Sequence, residues 1–173
     1  MPQDRRQAIL DAAVAVIARR GVRGLRVEQV ASEAGVAVSL IYYYFGNRNG
    51  LVRATLDHAN ERATTIAAGD SVEAMLMAEL EEGSHDTSVV WNEVLASAVF
   101  EPALRDGLVA ASRTWSDAVA QSIDGGSPAA REIADRLTAL VDGLSARWLA
   151  GVITRERARE LLAGAIAAEL STR

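Results

Sequence analysis

Between Val27 and Phe45 the chain sets two eight-residue apolar-periodic segments three residues apart, and no other feature constrains its fold as much. In the first, Val27, Val30 and Ala31 fall on one side of a helix, and Gly35 ends it. The second, Val38–Phe45, is ended by Gly46. Two helices of about two turns, joined by a short turn containing glycine, have helix-turn-helix spacing. Before them, from about Asp4 to Arg20, Ile9, Ala13, Val16 and Ile17 share one helix face. Gly21 follows the basic pair Arg19–Arg20, as a helix C-terminus requires.

The remainder reads the same way. A long helix is expected from about Arg48 to Ala68, closed by Gly69. Ser71 caps the next, Val72–Glu82, which Gly83 ends. Asp86 or Thr87 caps another, running through Trp91 and Leu95 to Phe100. Pro102 opens one that reaches about Ile123. After the Gly125–Gly126 break, Ser127 and Pro128 are an N-cap followed by a first-turn proline. That helix carries the stripe Ile133, Leu137, Leu140, Val141, Leu144 and Trp148, and Gly151 ends it. Thr154 caps the last, with Leu161, Leu162, Ala165, Ile166 and Leu170. The expected fold is all-α, with about nine helices.

Composition agrees. The 173 residues include 33 alanines and only 3 prolines, which favours helix over strand. With no cysteine there is no disulfide framework, thiolate zinc site or cysteine nucleophile. No apolar run approaches the ~20 residues that cross a bilayer, and Met1–Arg6 is too polar for a signal peptide, so a cytoplasmic protein is expected.

The net charge of −5 hides an asymmetry. Residues 1–53 hold eight arginines against four carboxylates, a net +4, whereas residues 54–173 hold ten against nineteen, a net −9. An anion-binding head on an acidic body follows.

The stretch from Val27 to Phe45, followed by Gly-Asn-Arg-Asn-Gly-Leu51, resembles the DNA-binding head of the TetR family of bacterial transcription regulators. The matching parts are Val30–Ala31, Ala34–Gly35–Val36, Ile41–Tyr42, Tyr44–Phe45, Arg48 and Leu51. Leu140–Ala150 is similar to the eighth helix of the betaine-regulator branch. The resemblance implies a DNA-binding helix-turn-helix domain at 1–47 and an effector-binding and dimerisation domain at 48–173. It also implies a transcription regulator, most simply a repressor, that acts as a homodimer on a palindromic double-stranded operator and is released by a small-molecule effector. No cofactor, metal or membrane partner is implied.

Residue chemistry agrees with that reading. The outer faces of the third helix offer Val38 and Leu40 to thymine methyls, Ser39 to a base edge or phosphate, and Tyr42, Tyr43 and Tyr44 to phosphates, with Phe45 and part of Tyr44 in the core. Arg48 adds charge beside a phosphate. Arg26 and Ala37 stand where the family commonly has Thr or Ser caps, a loss of roughly 1 kcal/mol each, and Asn49 replaces a usual acidic residue. Arg26 as a phosphate clamp turns its departure to use. Arg5 and Arg6 are either a frayed terminus or a minor-groove arm. An effector pocket is expected around Met75, Trp91, Phe100 and Trp115. The dimer interface is expected on Ile133, Leu137, Leu140, Leu144, Trp148, Leu162 and Ile166. His58 and His85 fit no metal spacing and read as satisfied or solvated. No catalytic constellation is visible, so an enzyme is not expected. The alternative is a protein of the same fold that has lost DNA binding and serves interaction or ligand binding, supported only by the missing caps.

Overall fold

The computed structural model describes residues 2–67 and 71–171; Ala68 and Gly69, expected at the end of the fourth helix, lie outside the described residues. The described residues form nine α-helices and no strand: α1 (Pro2–Gly24), α2 (Val27–Ala34), α3 (Val38–Phe45), α4 (Arg48–Ala67), α5 (Val72–Ala78), α6 (His85–Ala98), α7 (Arg105–Asp124), α8 (Pro128–Leu149) and α9 (Arg155–Ser171). One-turn 3₁₀ segments, Glu82–Ser84 and Pro102–Leu104, precede α6 and α7.

The chain divides into two compact units, the first running to Glu61 and including Val89–Ala111, the second comprising Arg62–Ser88 and the rest. In the first, the face of α1 read from the sequence is fully buried at Ile9, Ala13, Val16 and Ile17. Val30 and Ala31 of α2, Ile41 of α3, and Leu51, Val52 and Leu56 of α4 join it. The expected stop at Gly21 is a break inside α1, with φ 70° and ψ 169° there. The next amide, Val22 N, donates to Glu93 Oε2 at 2.8 Å, so a carboxylate from α6 satisfies the N–H that the break leaves open. His58 is buried and satisfied, with Nε2 2.9 Å from Asp11 Oδ1 and Gln7 Nε2 within reach of the same ring.

In the second unit α8 packs along α9, and α5 lies against both. Its core joins Met75, Leu76 and Leu80 to Trp115 and Val119, to α8, and to Leu162 and Ile166 of α9. Two helix ends differ from expectation. α5 stops at Ala78, because its following turns tighten (Leu80 N to Met77 O 3.1 Å, Glu81 N to Ala78 O 3.2 Å) and leave Leu80 wholly buried; Gly83 lies inside the 3₁₀ turn. In the first unit, α6 ends at Ala98 rather than Phe100, where Arg105 donates to the carbonyls of Ala98 at 2.9 Å and Val99 at 3.1 Å. Thr87 is no cap: its hydroxyl donates to Ser84 O at 2.7 Å.

Ser127 does cap α8, its Oγ accepting from Ala130 N at 3.2 Å. Ser127→Ala should therefore cost about 1 kcal/mol, read as a lower urea midpoint at unchanged slope.

Candidate nucleic-acid interface

The helix pair is held by a turn whose geometry demands glycine. Gly35 has φ 64° and ψ 36°, the left-handed region that a side chain disfavours, and its N–H closes α2 while Val36 N returns to Ala31 O at 2.9 Å. Val30, Ala31 and Ile41 are buried beneath the turn, so α3 is mounted on a rigid base. Neither Arg26 nor Ala37 makes a side-chain cap, as their residue types require.

From that base α3 presents Ser39, Tyr42 and Tyr43 outward, with Tyr43 81% and Tyr42 45% exposed. Tyr43 is steadied edge-on by Tyr44, whose ring centroid is 5.4 Å away at 68°. Val38 and Tyr44 are less available than the sequence suggested: both are half-buried against the head core, because the amide end of α3 and its last turn pack onto the unit. Leu40 is also half-buried and lines a groove beside Arg5, Ala8 and Val36. Phe45 is a packing residue as expected.

Arg5 and Arg6 lie within α1, so neither a frayed end nor a loose arm describes them, and the Arg6 guanidinium sits over the Phe45 ring at 5.6 Å. Arg26 is exposed at the start of α2. Arg19 Nη2 donates to both Glu33 oxygens at 2.6 and 2.7 Å, and that bond holds the Glu33 carboxyl below the usual carboxylate range. One of the head's four carboxylates is thereby neutralised in place.

Arg48 requires a correction. Its side chain turns inward: Nη2 donates to Val22 O, Nε to Leu25 O at 3.4 Å and Nη1 to Asn49 Oδ1 at 3.3 Å, with Glu101 3.7 Å away. Where α1 ends, the Val22 carbonyl accepts from Leu25 N at 3.2 Å, and the α4 guanidinium gives it a second donor and reaches the Leu25 carbonyl. Arg48 is a brace for the α1–α2 corner. The N-terminus of α4 is instead capped by Asn47, whose Oδ1 accepts from Gly50 N at 2.9 Å. An Asn three residues before that amide and directly after a glycine was the available signal.

The residues expected around the effector are divided between the two units. Met75 and Trp115 are buried in the core of the second unit, Trp91 packs against that of the first, and Phe100 is 73% exposed with Arg23 over its ring at 5.8 Å. Phe100 lies beyond the end of α6, which is why it escapes the core. The expected dimer stripe is corrected likewise. Ile133, Leu137, Leu144, Leu162 and Ile166 are buried within the protomer itself, since α5 and α7 cover that face, and only Leu140 and Trp148 remain half-buried.

A rigid two-helix head with an outward serine–tyrosine face defines a class, the helix-turn-helix DNA-binding regulators. The family model described as bacterial regulatory proteins, tetR family, matches residues 9–55, and that described as BetI-type transcriptional repressor, C-terminal, matches residues 68–171. The chain is 32% identical over 170 residues to the HTH-type transcriptional regulator BetI of Burkholderia thailandensis, covering 88% of this chain and 84% of that protein. A solved TetR-family transcriptional regulator from Rhodococcus sp. is 41% identical, covers 97% of this chain and 99% of that one, and superposes with a TM-score of 0.83. A transcriptional regulator from Saccharomonospora viridis, solved in complex with choline, is 26% identical over 95% of each chain, with a TM-score of 0.72. The chain belongs to the tetR family of bacterial regulatory proteins, with a C-terminal part of BetI type, and is a DNA-binding transcriptional regulator. Its relatives are regulators rather than enzymes, and no helix among the described residues is long and apolar enough to cross a membrane.

Proposed function

We propose that the protein is a cytoplasmic repressor that binds a near-palindromic operator as a homodimer and leaves it when a small organic cation occupies its C-terminal part. Residues 1–47 are the DNA-binding domain and residues 48–173 the effector and dimerisation domain. The observation that carries the reading is the outward face of α3, where Ser39, Tyr42 and Tyr43 stand on a buried scaffold. Two such heads about one helical turn apart, ~34–36 Å, would enter successive major grooves. The cationic effector rests on the choline complex of a 26% identical relative. By linkage, DNA and effector weaken each other by the same factor.

For the dimer, the exposed faces of α8 and α9 support pairing between copies. Ala139, Gly143 and Ala146 on α8, and Leu161, Gly164 and Ala168 on α9, are exposed at helical spacing and would let helices approach closely. Leu140 and Trp148 flank them.

Fluorescence anisotropy against the DNA upstream of the protein's own gene tests the function. Binding should fall at least tenfold in Tyr43→Ala, and a head that binds no such DNA would remove the repressor reading. Gly143→Arg should convert a dimer to a monomer by light scattering; an unchanged mass would move the interface elsewhere.

A further inference from the structure

The family's head model ends at residue 55, yet the compact unit that contains the head also takes in Val89–Ala111. In that added stretch Val90, Val94 and Ala98 of α6 are buried at helical spacing, and Glu93 and Ser97 fall on the same face. An inward position of this kind ordinarily takes an apolar side chain. Here it holds a carboxyl. Among the described residues its hydrogen-bond partner is a neutral backbone amide, Val22 N at 2.8 Å, and not an arginine.

The other side of the contact is equally specific. Gly21 has φ 70° and ψ 169°, a region that essentially only glycine enters. A Cβ on Gly21 would stand 2.5 Å from Glu93 Oε2 and 3.1 Å from its Cδ, so the carboxyl occupies the space a side chain would fill. The peptide unit that follows is held at both ends. Val22 N–H meets α6 through Glu93, and the Val22 carbonyl meets α4 through Arg48, whose Nη1 stands 3.7 Å from Glu101 beyond α6. Val22 itself is wholly buried. Four residues on, Arg26 opens α2, and α3 is mounted on α2. The course of both helices is therefore set where the chain leaves Val22. For stability alone an apolar side chain would serve as well as Glu93, since a carboxyl taken from water gives up hydration. What the carboxyl adds is direction, because it accepts from one amide in one geometry.

We propose that Glu93 is a positioning residue for operator binding: its carboxyl, seated on Gly21 and bonded to Val22 N, holds the α1 break in the geometry that aims α3 at DNA. It touches no DNA and acts through the α1–α2 corner. The inference rests on the reading of α3 as the DNA-facing helix. It extends the DNA-binding machinery to a residue within the part matched by the C-terminal family model, residues 68–171.

Glu93→Met and Glu93→Gln in the full chain test it. Methionine fills the same space without an acceptor; glutamine keeps an acceptor oxygen and loses the charge. The probe is the duplex from upstream of the protein's own gene, with anisotropy read at 15 °C. Glu93→Met should bind it about tenfold more weakly, the equivalent of one hydrogen bond to a charged group, and Glu93→Gln should stay within about threefold of the parent. A charge effect has the opposite sign, since taking a carboxylate from a head that meets phosphate strengthens binding in both variants. A role in stability alone leaves affinity at 15 °C unchanged and shows only in the melting temperature. Amide exchange in nitrogen-15-labelled protein reads the contact itself. Val22 N–H should exchange slowly in the parent and in Glu93→Gln, and at least about tenfold faster in Glu93→Met. A Glu93→Met protein that binds as tightly as the parent overturns the proposal, as does a Glu93→Gln protein that loses as much as Glu93→Met. Where Glu93→Met does not fold, exchange in the other two decides: a Val22 N–H that exchanges like an unprotected amide in either one overturns the proposal. A parent that binds no such DNA removes the repressor reading and this one together, whereas a bound parent matched by Glu93→Met removes this one alone.

Discussion

Gly50→Ala should lower the melting temperature by roughly 6–12 °C and abolish operator binding at 37 °C. Helix propensity alone predicts the opposite sign, since alanine in place of glycine stabilises a helix by up to about 1 kcal/mol. Packing decides otherwise. A Cβ at Gly50 would stand 2.0 Å from the Phe45 carbonyl oxygen, which is backbone and cannot swing aside. The α3–α4 corner would have to open, breaking the Gly50 N to Asn47 Oδ1 cap and shifting the last turn of α3, where Tyr42 and Tyr43 sit. Overpacking of this kind costs about 3 kcal/mol, and for a chain of this size each kcal/mol moves the melting temperature by about 2–4 °C. Differential scanning calorimetry and anisotropy at 15 and 37 °C check it; a Gly50→Ala protein as stable as the parent would show that the corner is built differently.

Arg48→Ala and Arg26→Ala should fail in different ways. Removing Arg48 takes the side-chain donor from the Leu25 carbonyl and leaves the Val22 carbonyl with Leu25 N alone, inside a half-buried corner. A charged hydrogen-bonding group in that setting contributes about 1.5–3 kcal/mol, reduced by its partial solvent access, so a loss of about 2 kcal/mol is expected. The slope of log affinity against log salt should stay as it is, because the guanidinium meets no phosphate. Arg26, exposed and unengaged at the head's surface, should behave in reverse: little change in stability, weaker binding across all sequences, and a salt slope reduced by about 1 per head. Urea denaturation and a salt titration of operator affinity separate the two. If Arg48→Ala lowers the slope and spares stability, the inward brace is wrong.

Much of the head was legible beforehand because its signals are local. Glycines at 35 and 46 punctuate α2 and α3 at the expected residues, and Val27, Val30 and Ala31 are buried at their helical spacing. Ser71, Ser127 and Thr154 cap the helices they precede, since a side-chain oxygen there needs only its own next turn to find an amide. The misreadings share one cause. Arg48, Phe100 and the α8 stripe were judged from their own helices, whereas their fates depend on residues far along the chain.

Sequence by itself therefore determined the all-α class, the helix-turn-helix register, the family, and an arginine-rich head on an acidic remainder. These follow from periodicity, caps and composition, which act within a few residues. Only the tertiary structure decided which apolar faces were already used. It turned Arg48 inward onto the Val22 and Leu25 carbonyls, gave Val22 N to Glu93, and spent Leu137 and Leu162 on the protomer's own core. Each of those outcomes is a pairing across dozens of residues. Burial makes such pairings obligatory, because a polar group removed from water must find a partner wherever the fold brings one.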